Sequence, residues 1–269
     1  MADKATKSYK IAVDAGHGYN TPGKRSPDGE REWSFNNVVV LAIVERLKEY
    51  RCFDVLRTDD PTGKTDVPLA DRVTKAIKFN ADIFVSAHQN ANAGVYGSHG
   101  GTETYYYGPS TNGKLLANYV QPRLISALGL RNRGVKASDD LYVLRGFRSV
   151  KTVAILAEGA FMDSYTDIVS LRDDAKLKAQ GYAIADGIAE YLGVILPKKS
   201  EVKGVSYTKV EPKEDDEMKL NETGRQAARE MIKRAVTDGT FTSKHENVDK
   251  YDDGELVSYA LAYVNRKLK

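Results

Sequence analysis

The sequence predicts an α/β fold: a three-layer, mostly parallel twisted sheet with helices on both faces, plus a small C-terminal helical module. Three observations carry this expectation. Short apolar runs alternate with segments whose apolar residues recur at three- and four-residue spacing across residues 10 to 192. The character changes at 194–220, which holds two prolines, six basic and six acidic residues and little periodicity. Two more amphipathic segments follow. The expected boundaries are 1–196 for the main domain, 197–220 for a linker and 221–269 for the helical module.

Lys10 to Asp14 (KIAVD) is apolar, β-branched and followed by glycines, so it reads as a buried strand. A Gly-, Pro- and Ser-rich loop runs to about Gly29. Ser34 then starts a helix, with Phe35, Val38, Val39, Ala42, Ile43 and Leu47 on one face. FDVLR (53–57) is a second strand. Leu69, Val73, Ala76 and Ile77 mark a second helix, and DIFVSA (82–87) is a third strand that runs into His88. A loop leads to the strand TETYYY (102–107), whose alternate tyrosines are expected to be buried. Leu115 to Leu128 suggests a helix, with Pro122 kinking it or marking its start. Leu141 to Leu144 reads as a short strand. TVAILA (152–157) is a buried strand ending on Glu158, and a last helix runs from Asp174 to Leu192. Past the linker, Ala228, Met231, Ile232, Ala235 and Val236 share a helical face, with Asn221 as cap and Gly239 as stop. Leu256, Ala260, Tyr263, Val264 and Leu268 share another. Two such helices bury little core, so the module needs a third element, a second copy or a target.

Composition narrows the function classes. The 40 basic and 37 acidic residues leave a net charge of +3, spread along the chain. That distribution gives no support to nucleic-acid binding. The single cysteine, Cys52, excludes an internal disulfide and thiolate-rich zinc motifs, and reads as a small buried hydrophobe. MADKATKSYK lacks the apolar core of a signal peptide, and no apolar run approaches a membrane span. The expectation is a soluble chain made in the cytoplasm, with no membrane insertion.

In parallel sheets, ligands bind beyond the carboxyl ends of the strands. Asp14–Gly18, His88–Asn92 and Glu158–Asp163 fall on that rim. His17, Glu32 and His88 would supply three metal ligands and leave a fourth position for water. On pattern alone this is weak. A lone histidine at a strand end is more often a hydrogen-bonded structural residue, and Glu32, beside Glu30 and Arg31, would usually be a solvated acid. Glu158 follows an apolar run, where burial raises a carboxyl pKa toward the range of a general base; a capping or salt-bridged acid is the rival.

DAGHG, EWSFNN, VSAHQNA and VAILAEGAFMD, in this order over residues 8 to 193, resemble the zinc-dependent N-acetylmuramoyl-L-alanine amidases of the type-3 family. The resemblance implies cleavage of peptidoglycan between N-acetylmuramic acid and the L-alanine of the stem peptide. It implies Zn2+ on His17, Glu32 and His88, with Glu158 as acid/base. The chain departs from the family at Ala15, where proline is frequent. Glu30 is a rival ligand, but the E-W-x-F-N context favours Glu32. Asn90 is a candidate to fix His88 or substrate, His99 to touch substrate, and Arg145 to meet a stem-peptide carboxylate; loop placement or solvation are the rivals for the last two. His245 reads as a surface residue. The modular layout fits a phage endolysin acting on Gram-positive wall after holin-dependent release, or an enzyme freed on cell lysis. Residues 221–269 would bind the wall, with self-association as the rival role. A zinc peptidase cutting within the stem, and a non-catalytic wall-binding protein, are the alternatives.

Overall fold

The computed structural model describes residues 8–196, 222–237, 248–251 and 256. The chain divides into two compact units, Met1–Glu201 and Val202–Lys269. The first unit contains β1 (Tyr9–Ala15), α1 (Glu32–Glu49), β2 (Phe53–Arg57), α2 (Leu69–Lys78), β3 (Ile83–Asn90) and β4 (Thr102–Tyr106). It continues with α3 (Thr111–Leu128), β5 (Asn132–Ala137), α4 (Tyr142–Arg145), β6 (Val153–Phe161), α5 (Asp167–Leu171) and α6 (Asp174–Tyr191).

The six strands form one sheet in the order β2-β1-β3-β6-β4-β5. Neighbours are parallel except β4 and β6, which run antiparallel. Strand periodicity splits the core in two. Ile11, Val13, Ile83, Val85, Ile155 and Ala157 face one way and pack with residues of α1, α3 and α6. Ala12, Phe84, Ala154 and Leu156 face the other way, against Val73 and Ala76 of α2 and Val143 and Leu144 of α4. Each fully buried Ile or Leu adds roughly 2 kcal/mol to folding. Burial on both faces explains why the central strands read as continuous apolar runs.

Several elements differ from expectation. α1 begins at Glu32, two residues before Ser34, so Glu32 is helical rather than loop-like. Leu141–Leu144 is not a strand: 142–145 form α4, because a short apolar run satisfies either period. β5 carries no apolar alternation, being an edge strand with no fully buried residue, and α5 is too short to show periodicity. Ser110 caps α3, its Oγ accepting from Gly113 N at 3.0 Å, so Pro122 lies inside the helix and does not start it. Tyr106 is buried between half-buried Tyr105 and Tyr107. Cys52 is half-buried and lies just before β2.

In the second unit, α7 (Glu222–Thr237) buries Ile232 and Ala235, as the apolar spacing requires. A 3-10 turn, Val248–Lys250, places Asp249 3.7 Å from both Arg229 and Lys233. The expected linker, the caps Asn221 and Gly239, His245 and the last amphipathic segment apart from buried Leu256 lie outside the described residues. No described helix is long and apolar enough to cross a membrane.

Candidate metal centre

The ends of β1, β3 and β6 converge with the start of α1. Gly16 N continues the β1–β3 ladder by donating to Ala87 O at 3.0 Å. The chain then turns at His17, whose φ is +67°. The strained left-handed residue is thus the histidine itself. The flanking glycines serve close approach instead: a Cβ on Gly16 would strike the His88 ring, and one on Gly18 would sit 2.8 Å from Asp66 N.

Arg72 of α2 fixes this turn. It is 1% exposed and all five of its N–H groups are used. Nε donates to Val67 O at 2.7 Å. One terminal nitrogen donates to Asp14 Oδ1 and Ala15 O, both at 2.8 Å; the other donates to His17 O at 2.9 Å and Asp66 Oδ1 at 3.0 Å. Asp14 also accepts from Ser86 Oγ at 2.7 Å and Thr58 Oγ1 at 2.8 Å. The acid of the first motif is therefore a buried anchor.

Glu32 enters from α1. Its N–H donates to Lys24 O at 3.1 Å, and Trp33 packs against Gly63 and the edge of Tyr19. Its carboxylate is 2% exposed. Oε1 lies 3.0 Å from His88 Nδ1 and accepts from Gln89 N and Asn36 Nδ2, each at 3.3 Å. Oε2 lies 3.3 Å from His17 Nε2. One donor atom from each of His17, Glu32 and His88 fits within a 4.8 Å span. A tetrahedral centre with bonds of about 2.1 Å has edges of about 3.4 Å, so the set suits a small divalent cation. Glu30 is not part of it: Arg172 and Ser26 hold its carboxylate at 2.6 to 2.8 Å.

Glu158 pairs with His88 in the β3–β6 register. Its Oε2 is shielded from solvent and has no hydrogen-bond partner among the described residues. Burial pushes its carboxyl up to about 7; the Glu32 and Glu103 charges add to this, while His88 and Lys24 oppose it. Burial pulls His17 down to about 4. Burial also pulls on His88, but the Glu32 hydrogen bond and nearby acids outweigh it and leave it raised. Glu32 is depressed: burial pushes up, and the His88 hydrogen bond with the His88, His17 and Lys24 charges prevails.

Two pockets meet here, sharing His88, Glu158 and Lys24. The larger, about 400 Å³, is walled by Pro68, Leu69, Leu141, Tyr142 and Val143. The smaller, about 220 Å³, runs past Gln89, Asn90 and Met162.

A family model for N-acetylmuramoyl-L-alanine amidase (Amidase_3) matches residues 11–190. The chain belongs to this amidase family. It is 34% identical over 183 residues to the amidase LytC of Bacillus subtilis, a match covering 67% of this chain and 35% of LytC. The chain thus spans about a third of LytC. It is 32% identical over 218 residues to the endolysin of Bacillus phage SPP1, covering 76% of this chain and 75% of the endolysin. The catalytic domain of the amidase CwlV from Bacillus (Paenibacillus) polymyxa var. colistinus superposes with a TM-score of 0.62 at 29% identity, over 70% of this chain and 99% of that domain.

Within the matched residues 11–190, the remaining sequence candidates fall unevenly. Asn90 lines the smaller pocket; its Nδ2 donates to Glu103 Oε1 at 2.8 Å and its Oδ1 accepts from Ala91 N. Among the described residues its side chain makes no hydrogen bond to His17, Glu32 or His88. His99 lines neither pocket; its Nε2 lies 2.7 Å from Asp163 Oδ1 and its ring meets Phe161 edge-on. Arg145 lies over the Tyr142 ring and also lines neither pocket. Sequence reading missed Arg72 and Glu103. Arg72 carried a signal: with Leu69, Val73 and Ala76 it completes an i, i+3, i+4, i+7 stripe, a charged residue on an apolar face. Glu103 of β4, 1% exposed and directly opposite Glu158 of β6, was hidden between two threonines.

Proposed function

We propose that this chain hydrolyses the amide between N-acetylmuramic acid and the L-alanine of the peptidoglycan stem. In this reading His17, Glu32 and His88 hold zinc, and Glu158 is the general acid/base. The observation that carries it is the juxtaposition of a three-donor cluster with Glu158 on the next strand, whose buried Oε2 has no hydrogen-bond partner among the described residues. When bound, zinc supplies Lewis acidity, lowering the pKa of water and polarising a carbonyl. The rest belongs to the chain. Glu158 accepts the proton of the attacking water and delivers it to the leaving alanine nitrogen; a carboxyl titrating near 7 suits both directions. The Gln89 N–H and the Asn36 amide, outside the ligand set, orient the Glu32 carboxylate that would hold the metal with the two imidazoles. The two pockets admit substrate on either side of the scissile bond.

The named activity of the LytC and SPP1 relatives supports a wall-lytic role. We assign the protein as an endolysin that reaches Gram-positive peptidoglycan after release from the cytoplasm, with 221–269 as its wall-binding module. Mass spectrometry of soluble products from purified Gram-positive peptidoglycan tests the reaction. Free stem peptides with a new L-alanine amino terminus and intact glycan strands are expected. Cuts inside the stem would replace amidase by peptidase, and absence of product in zinc-replete buffer would favour a non-catalytic binding protein.

A further inference from the structure

Lys24 borders both pockets at the metal centre without belonging to the ligand cluster. Its backbone is tied down: its carbonyl accepts from Glu32 N at 3.1 Å and its N–H donates to Thr21 O at 3.3 Å. Its side chain is exposed and has no hydrogen-bond or ion-pair partner among the described residues. With His88 and Glu158, Lys24 is one of the three residues that line both pockets, so it borders the space a substrate would fill. Arg72 is the only other Lys or Arg lining either pocket, and its donors are all spent. Lys24 is therefore the lining cation with donors to spare.

The other charges at the site are already answered: Arg133 and Lys136 pair with Glu103, Arg72 pairs with Asp14, and Glu32 belongs to the ligand cluster. An anionic substrate group entering these pockets finds Lys24 as the lining Lys or Arg with donors to spare. The lactyl group, the scissile amide and the alanine methyl carry no charge. The first carboxylate of a stem peptide belongs to its second residue, roughly 7 Å along an extended chain. Lys24, exposed on a backbone tied to Thr21 and Glu32, borders the pockets into which that segment would run.

We propose that Lys24 binds the α-carboxylate of the second stem residue, so that the enzyme discriminates an unamidated stem (D-isoglutamate) from its carboxamide counterpart (D-isoglutamine). This rests on the amidase reading. The ammonium pairs with a carboxylate and finds only a neutral amide in the other stem; a charge-assisted hydrogen bond of this kind changes affinity about tenfold.

The test uses the full-length zinc-loaded protein and two soluble disaccharide tetrapeptides that differ only in that carboxylate or carboxamide. The wild type is expected to favour the carboxylate substrate through KM. Lys24→Ala lowers the ratio of kcat/KM values (carboxylate over carboxamide) about tenfold, Lys24→Arg restores it, and added salt shrinks it in the wild type. Zinc content measured on each variant shows that the centre is intact. An unchanged ratio in Lys24→Ala, whether both activities hold or both fall together, overturns the proposal: the first makes Lys24 a solvated lysine, the second a general electrostatic aid to the reaction. Cleavage of neither substrate by the wild type overturns the amidase reading and this inference with it. Cleavage of both without preference overturns this inference alone.

Discussion

His17 is held at a φ of +67°, a conformation that costs a non-glycine residue roughly 1–2 kcal/mol. Three contacts hold it there: the Arg72 hydrogen bond to its carbonyl, the His88 ring edge-on at 4.9 Å, and Glu32 Oε2. His17→Ala is expected to lose bound zinc, measured by metal analysis after gel filtration; full occupancy would remove His17 from the ligand set. Glu158→Gln is expected to retain zinc while turnover falls about 10²- to 10⁴-fold, and ordinary hydrolysis by that variant would remove Glu158 from the reaction. Titration of the metal-free protein checks the same residue independently. Glu158 binds its proton more tightly in the fold, at about 7 against 4.5, so stability drains away as pH rises through that window. Glu158→Gln escapes the loss: at pH 8 it should exceed the wild type by about 3 kcal/mol in chelator, and match it near pH 4. His17 works oppositely. Its folded value near 4 lies below 6.5, so the metal-free fold loses stability as pH falls from 6.5 toward 4. Equal urea midpoints for wild type and Glu158→Gln at pH 8 would contradict the buried-acid account.

At the scale of elements, α2 does more than cover the sheet. It carries Arg72 into the core, where the side chain joins the end of β1, the His17 turn and the 66–67 segment. Arg72→Met keeps the length and strips the donors, leaving Asp14 buried without its ion pair. The expected cost is about 3 kcal/mol of stability, read from urea unfolding. A 10- to 100-fold loss of zinc affinity should accompany it, read by chelator competition at a denaturant-free temperature where the variant is folded. Loss of stability with unchanged zinc affinity would confine Arg72 to the core. The elements themselves were largely legible: β1, β2, β3, β6, α1, α2 and α6 have apolar patterns longer than their ambiguities. The run 141–144 was not, because four residues cannot separate a two-residue from a 3.6-residue period. The edge strand β5 was invisible because its NRGVKA alternates nothing that needs burial.

For the whole molecule, the two compact units set the next expectation. A chain ending at Pro197 should still release stem peptides from solubilised fragments. It should bind whole peptidoglycan less, at an unchanged oligomeric state; a change of oligomeric state with wall binding intact would make 221–269 an assembly module. Zinc removal should lower the thermal midpoint of the first unit while leaving its far-UV spectrum intact. The three donors are already held together by Glu32's hydrogen bonds, and ligand linkage alone supplies about 4 kcal/mol at a thousandfold excess over Kd. By itself the sequence determined the layered α/β architecture and the four motif segments from which the candidate site is built. Both are written in local patterns: apolar periodicity, and motif residues just past strand ends. The motif context already favoured Glu32 over Glu30, and the tertiary structure added the reason: Arg172 and Ser26 hold Glu30 away from the two histidines. The tertiary structure alone showed that Asp14 is an anchor for Arg72, 58 residues away, and that Lys24 lines both pockets with no side-chain partner among the described residues. Those outcomes depend on which hydrogen-bond donors and acceptors meet across the sheet, and spacing along the chain carries no record of that pairing.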